Sequence, residues 1–216
     1  MPHLPERDAK AWHRLWRDLE LDPPPGLVDQ ILAAYDDPKR HYHSRQHLRD
    51  SLRRFWAVRG LAREPLLVEL ALWFHDAVYR ANRSDNEEQS ARWATEALLE
   101  AGADSDAADT VAHLILATRH GSAMPEGDAA LLCDIDLAIL GARLRTYDEY
   151  EQAIRAEYSW VPVALYREGR AKILRKLLRR ERIYLTEPFA RRWERRARAN
   201  LTRELGELGG EEEASP

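Results

Sequence analysis

Residues 66–74 read Leu, Leu, Val, Glu, Leu, Ala, Leu, Trp, Phe, a segment apolar on nearly every side. A helix that is hydrophobic all round is a buried one, so this stretch sets the centre of whatever the chain folds into. His75 and Asp76 follow at once. A polar pair ending a buried element sits at or near the interior, where polar groups need partners and charged groups more so. A metal ion would satisfy both side chains, since imidazole and carboxylate suit zinc, iron, manganese and similar ions. The dipeptide alone is weak evidence, and its weight rests on ligands elsewhere in the chain.

The 216 residues are enough for one large domain, and 44% apolar content with seven Trp agrees with a globular core. Val and Ile are sparse beside Ala, Leu, Arg and Glu, which favours helix over strand throughout. Cys133 is the single cysteine, so no intrachain disulfide can form. A reducing, cytoplasmic setting is therefore expected. The N-terminus lacks the apolar core of a signal peptide, and no run approaches a membrane span. A net charge of −4 gives no global case for nucleic acid.

Read in order, the pattern predicts helices over 7–20, 27–35, about 44–59 and 65–74. The third carries a buried stripe of Leu48, Leu52, Phe55 and Trp56. Asp85 and Glu88 resemble a capping box opening a helix to Ala101, with Gly102 as its stop. Further helices are expected over 106–120, 129–140, 146–158, 163–182 and 187–206, with Gly141 ending the short one. Residues 207–216 read as an acidic, disordered tail. The expected fold is all-α, a single helical domain over 1–206 with an N-terminal helical extension.

Several polar residues stand out. His43 and His47 are one helical turn apart and share a face, which equally describes a boundary pair with no function. Asp134 and Asp136 flank Ile135 inside an apolar segment, an unusual place for carboxylates without a partner, which capping or an ion pair with one of many arginines would also explain. Glu87 falls on one face with Ala91, Ala94 and Leu98, so it extends an apolar stripe inward while Glu88 serves the cap. Arg119 and His120 end a helix, where an Arg could hold a phosphate through its fork of donors or simply face the helix dipole. Arg and Lys are dense from 167 to 203, mostly as the solvated face of amphipathic helices, with Arg170 and Lys172 as candidates for an anionic pocket. Glu187 with Arg191, and Glu194 with Arg198, are spaced to pair.

Taken together, Tyr42, His43 and His47, then Phe74, His75 and Asp76, then Asp134, Ile135 and Asp136 resemble the HD superfamily of metal-dependent phosphohydrolases. The first segment is similar to the Tyr-His-x-x-x-His segment of cyclic-nucleotide phosphodiesterases, and the third to the family's last ligand motif. The whole most resembles a group of bacterial HD proteins known only as predicted hydrolases, over residues 10–206. The resemblance implies that His47, His75, Asp76 and Asp136 are metal ligands and that His43 is a general acid. Beside these, helical spacing and position rather than the resemblance offer Glu87 as a candidate base or further ligand, and Arg119, His120 and Lys172 as candidate phosphate contacts. Many two-metal members carry another His soon after the pair, whereas Ala77, Val78 and Tyr79 follow here, so one ion is expected.

The implied activity is hydrolysis of a phosphate ester or anhydride of a small metabolite, a nucleotide by preference. The cofactor would be a divalent transition metal (Mn, Fe, Co, Ni or Zn) or Mg. The expected partner is that small phosphorylated substrate, not nucleic acid or membrane, and a homodimer is compatible with the sequence. Two other classes fit less well: a regulatory nucleotide binder without turnover, and a di-iron oxygenase, which would need two ions.

Overall fold

The computed structural model describes residues 4–119 and 124–210. The described residues are helical throughout, with no strand, as the composition led us to expect. Ten helices follow in order: α1 (Leu4–Asp18), α2 (Leu27–Tyr35), α3 (Arg45–Val58), α4 (Pro65–Phe74), α5 (Asn86–Glu100), α6 (Ser105–Ala117), α7 (Gly127–Asp136), α8 (Leu144–Glu157), α9 (Val163–Leu178) and α10 (Glu187–Gly210). Short 3-10 turns cover Arg59–Leu61 and Leu137–Gly141. Among the described residues no helix is long and apolar enough to cross a membrane. By contacts the chain divides into two compact units, Met1–Ile135 and Asp136–Pro216.

In the first unit α4 is the centre. Pro65 fits its first turn because that position has no amide partner to lose. From Val68 to Phe74 every side chain is buried, and α1, α3, α5 and α6 all pack on the helix. Trp12 of α1 meets Trp73 edge-on at 5.1 Å and lies 5.3 Å from Trp16. Glu69 is the one charge in this wall. Burial pushes its carboxyl above the usual range, and Arg14 opposes that through a 2.7 Å ion pair.

Three helix ends depart from expectation for local reasons. Trp56 is exposed rather than part of the α3 stripe, its faces covered by the Arg14 and Arg59 guanidiniums at 4.2 and 5.2 Å. The capping box does not form: Asp85 is held by Arg83 and Gln89, and Glu88 pairs with Arg119 instead. α6 starts on an Asp104 cap, whose side chain accepts from the Ala107 amide at 2.7 Å, and ends at Ala117. At the end of α1, by contrast, Glu20 takes the left-handed conformation usual for glycine (φ 58°), which stops the helix before the prolines.

The second unit is built from the 3-10 turn at Leu137–Gly141 and helices α8 to α10. Gly141 matters as a close approach: a Cβ there would lie 2.5 Å from the Cβ of Trp193 and 2.9 Å from the Tyr184 hydroxyl. Along α10, Phe189, Ala197 and Leu201 are buried on one face. Glu194 pairs with Arg198 at 2.8 Å, but Glu187 pairs with Arg182 rather than Arg191. Arg170 is buried and bonded to both oxygens of Glu204 and to the Tyr150 hydroxyl, so its guanidinium is spent inside the unit and does not line an anionic pocket. The α10 helix continues four residues past 206.

Glu151 on α8 bonds Arg203 of α10 at 2.9 Å. Burial outweighs that contact and pushes its carboxyl up to about 7. Between the ordinary carboxylate value and that one, the folded chain holds a proton the unfolded chain has released, so stability falls as pH rises through the window. Glu151→Gln should flatten the dependence of melting temperature between pH 5 and pH 8, and should melt above the parent at pH 8. Arg203 keeps Asp148 and Glu207 as partners in the variant. Circular dichroism melts at the two pH values check this; an unchanged slope would show that Glu151 titrates like a surface carboxylate.

Candidate metal centre

The end of α4 delivers two of the candidate ligands. His75 caps the helix, its amide donating to Ala71 O at 2.8 Å. Its Nδ1 lies 2.8 Å from the Leu72 carbonyl, which can only accept, so that nitrogen carries the proton. Nε2 is thereby left with its lone pair. His47 is the third residue of α3 and equally buried, on the face that carries Leu48 and Ser51. The Nε2 atoms of His47 and His75 stand 3.1 Å apart. Asp76 Oδ2 lies 3.2 Å from the second and 3.4 Å from the first.

Asp136, the last residue of α7, completes the set. His47, His75, Asp76 and Asp136 each offer one ligand atom, and these atoms all lie within 4.8 Å of one another. Ligand atoms about 2.1 Å from a shared ion would stand about 3.0 Å apart at right angles and about 4.2 Å apart when opposed. The three separations among His47, His75 and Asp76, 3.1 to 3.4 Å, fall within that range. Asp76 Oδ2 is buried and has no well-formed hydrogen bond among the described residues, an expensive state for a carboxylate. Burial pushes its carboxyl upward, but the charges of His75, then His43 and His47, outweigh this and hold it well below the usual range. A two-nitrogen, two-oxygen set with one orphaned anionic oxygen fits a divalent cation, and Cys133 contributes no thiolate to it.

The remaining candidates fall at different distances from this centre. Asp134 is fully buried but not in the group. Two residues on a helix are turned about 200° apart, so only one of Asp134 and Asp136 can face it. His43 is not on α3, as its spacing from His47 suggested: Ser44 is extended (φ −105°, ψ 177°) and the helix begins at Arg45. Its ring nevertheless lies 6.0 Å from that of His47, stacked on Tyr79 at 3.9 Å. Glu87 sits in the first turn of α5 outside the ligand group. Burial, and then the negative charges of Asp76 and Glu88, raise its carboxyl, against Arg119 and its own amide. Arg119 is half-exposed and bonded to Glu88 at 2.5 Å. Lys172 is exposed on α9. His120 lies outside the described residues.

Spacing arguments missed the groups that hold the centre from behind. The Tyr35 hydroxyl accepts from the Asp76 amide at 3.2 Å, and Arg40 donates to the carbonyls of Asp76 and Ala77 at 2.7 and 3.0 Å. Bonds to main-chain carbonyls leave no residue-type signature on the accepting side, so only the aromatic and cationic character of residues 35–43 hinted at them. Compared with protein families, with curated proteins and with solved structures, the chain matches none.

The two aspartates of α7 separate experimentally. Asp136→Ala should lose most of the bound transition metal, whereas Asp134→Asn should retain it per folded molecule. Elemental analysis of the purified variants checks this, and metal retained in Asp136→Ala would remove α7 from the ligand set.

Proposed function

We propose that the chain is a metal-dependent phosphohydrolase of the HD type, cleaving a phosphate ester or anhydride of a small metabolite, a nucleotide by preference. The single observation that carries the reading is the convergence of His47, His75, Asp76 and Asp136 within 4.8 Å, in the residue types and chain order of the motif it resembles. A divalent ion held there supplies charge neutralisation at phosphoryl oxygens and a lowered pKa for a water. The other roles belong to this chain's own side chains.

His43 donates a proton to the departing oxygen. Its ring is half-buried beside the ligand His47 without belonging to the ligand group, and stacking on Tyr79 restricts its orientation. Glu87, with its carboxyl raised by burial and by Asp76, stands closer to the range in which a general base works at neutral pH. Arg119 can exchange its exposed contact with Glu88 for a phosphate oxygen, since a half-exposed pair of this kind is worth little. Substrate screening with nucleoside mono-, di-, tri- and cyclic phosphates in Mn, Mg, Co or Ni tests the activity as a whole.

His43→Ala should keep its metal and its fold but lose roughly 10²–10⁴-fold in rate on a nucleotide. On a p-nitrophenyl ester, whose leaving group departs without a proton, the loss should shrink sharply. Steady-state rates on both substrates, with metal content measured in parallel, check it. An equal loss on both would remove His43 from the acid role.

A further inference from the structure

We infer that Arg40 is a positioning residue of the metal centre, a clamp that holds the His43 segment and the turn after α4 in one arrangement. The inference rests on the metal reading of the His47, His75, Asp76 and Asp136 group, and it does not depend on what reaction occurs there. The last carbonyls of a helix and of the turn beyond it have no intrahelical donor. Beyond α4, the Asp76 carbonyl accepts from Arg40 Nη1 at 2.7 Å and the Ala77 carbonyl from Nη2 at 3.0 Å. The same Nη1 reaches back 3.4 Å to the carbonyl of His43.

One planar group thus joins the turn carrying His75 and Asp76 to the segment leading into His47. Its plane is held from two sides, with the ring of Tyr35 at 5.4 Å and that of Tyr79 at 5.8 Å from the guanidinium carbon. Tyr79 also stacks on His43, and Tyr35 accepts from the Asp76 amide. Arg40 therefore acts through main-chain atoms on both sides of the centre, and touches none of the four ligand side chains in the bonds described. Lysine could not do this, because an ammonium is a point charge without a rigid fork.

The sign of the expected effect separates positioning from simple charge. Removing a cation near a cation site should tighten metal binding by Coulomb's law alone. Loss of a group that orients ligands should weaken it, and outer-shell changes of this kind cost roughly 10–100-fold in affinity. The experiment is titration of the metal-stripped full chain with Co²⁺, followed by its visible absorption and by competition with a chelator.

Arg40→Ala and Arg40→Lys should both bind Co²⁺ roughly 10–100-fold more weakly than the parent, with altered ligand-field bands. Arg40→Lys keeps the stem and the charge, and it carries the test if the alanine variant does not fold. Arg49→Ala is the control: it removes the bonds from α3 to Asp8 of α1, the shortest 2.6 Å, and should lower melting temperature without changing Co²⁺ affinity. Parent-like affinity in Arg40→Lys, tighter binding in Arg40→Ala, or equal weakening in Arg49→Ala would each overturn the assignment. Co²⁺ affinity is read without turnover, so a chain that binds cobalt and hydrolyses nothing still decides the role of Arg40. A parent that takes up no Co²⁺ overturns the metal reading together with this one.

Discussion

Two imidazole nitrogens 3.1 Å apart, with a carboxylate oxygen close to both, concentrate electron pairs where water cannot screen them. The fold creates this arrangement through α4. Because that helix is buried on all sides, its C-terminal cap cannot turn outward, and His75 is held inside by the same packing that buries Trp73 and Phe74. The Leu72 carbonyl then accepts a hydrogen bond from Nδ1–H, which leaves Nε2 facing His47. A shared cation would convert three mutually crowded acceptors into a satisfied set. The surrounding helices of the first unit serve chiefly to keep α4 dry and its end fixed.

Much of this was legible in the residues. An uninterrupted apolar run has only one place to go, and α2 and α4 lie where the breaks at prolines and glycines put them. The four-residue group was read from a resemblance of motifs; His75, Asp76 and Asp136 also stand at apolar segments, whereas His47 lies among Arg45, Gln46 and Arg49 and carries no such local signal. Phase at helix starts was less legible. Placing His43 on the third helix required Ser44 to be helical, but its extended conformation begins the helix one residue later. Spacing alone cannot tell a cap from a first turn. The Asp85 box failed for a related reason, since Arg83 competes for the same carboxylate through two bonds of 2.7 and 2.5 Å.

In the second unit the density of arginine was plain, yet which arginines face inward was not. Arg170 and Lys172 are two positions apart on α9 and so point to different sides, one into Glu204 and Tyr150, the other to the exterior. Charge counts treat them alike. Gly141 shows the same limit from the other direction. Its position after a short helix suggests a stop signal, whereas its function is to admit the side chains of Trp193 and Tyr184, which come from 43 to 52 residues further along the chain. Contacts of that range are fixed by packing and carry no local pattern.

The helix ends add a field to the side chains. α4 stops at Phe74, one residue before His75, so its C-terminus lies at the ligand group, while at Asp136 α7 runs on into the 3-10 turn Leu137–Gly141. The α4 terminus carries a partial negative charge from its aligned peptide dipoles. Only His47, in the first turn of α3, brings the positive end of a helix. Two carboxylates and the α4 C-terminus against one N-terminus make the bare centre a poor place for an anion and a good one for a cation. A phosphate would meet repulsion there unless a divalent ion stood between. On the proposed phosphohydrolase reading an ion would have to bind before a phosphorylated ligand could, which makes affinity for the ion the first quantity to measure.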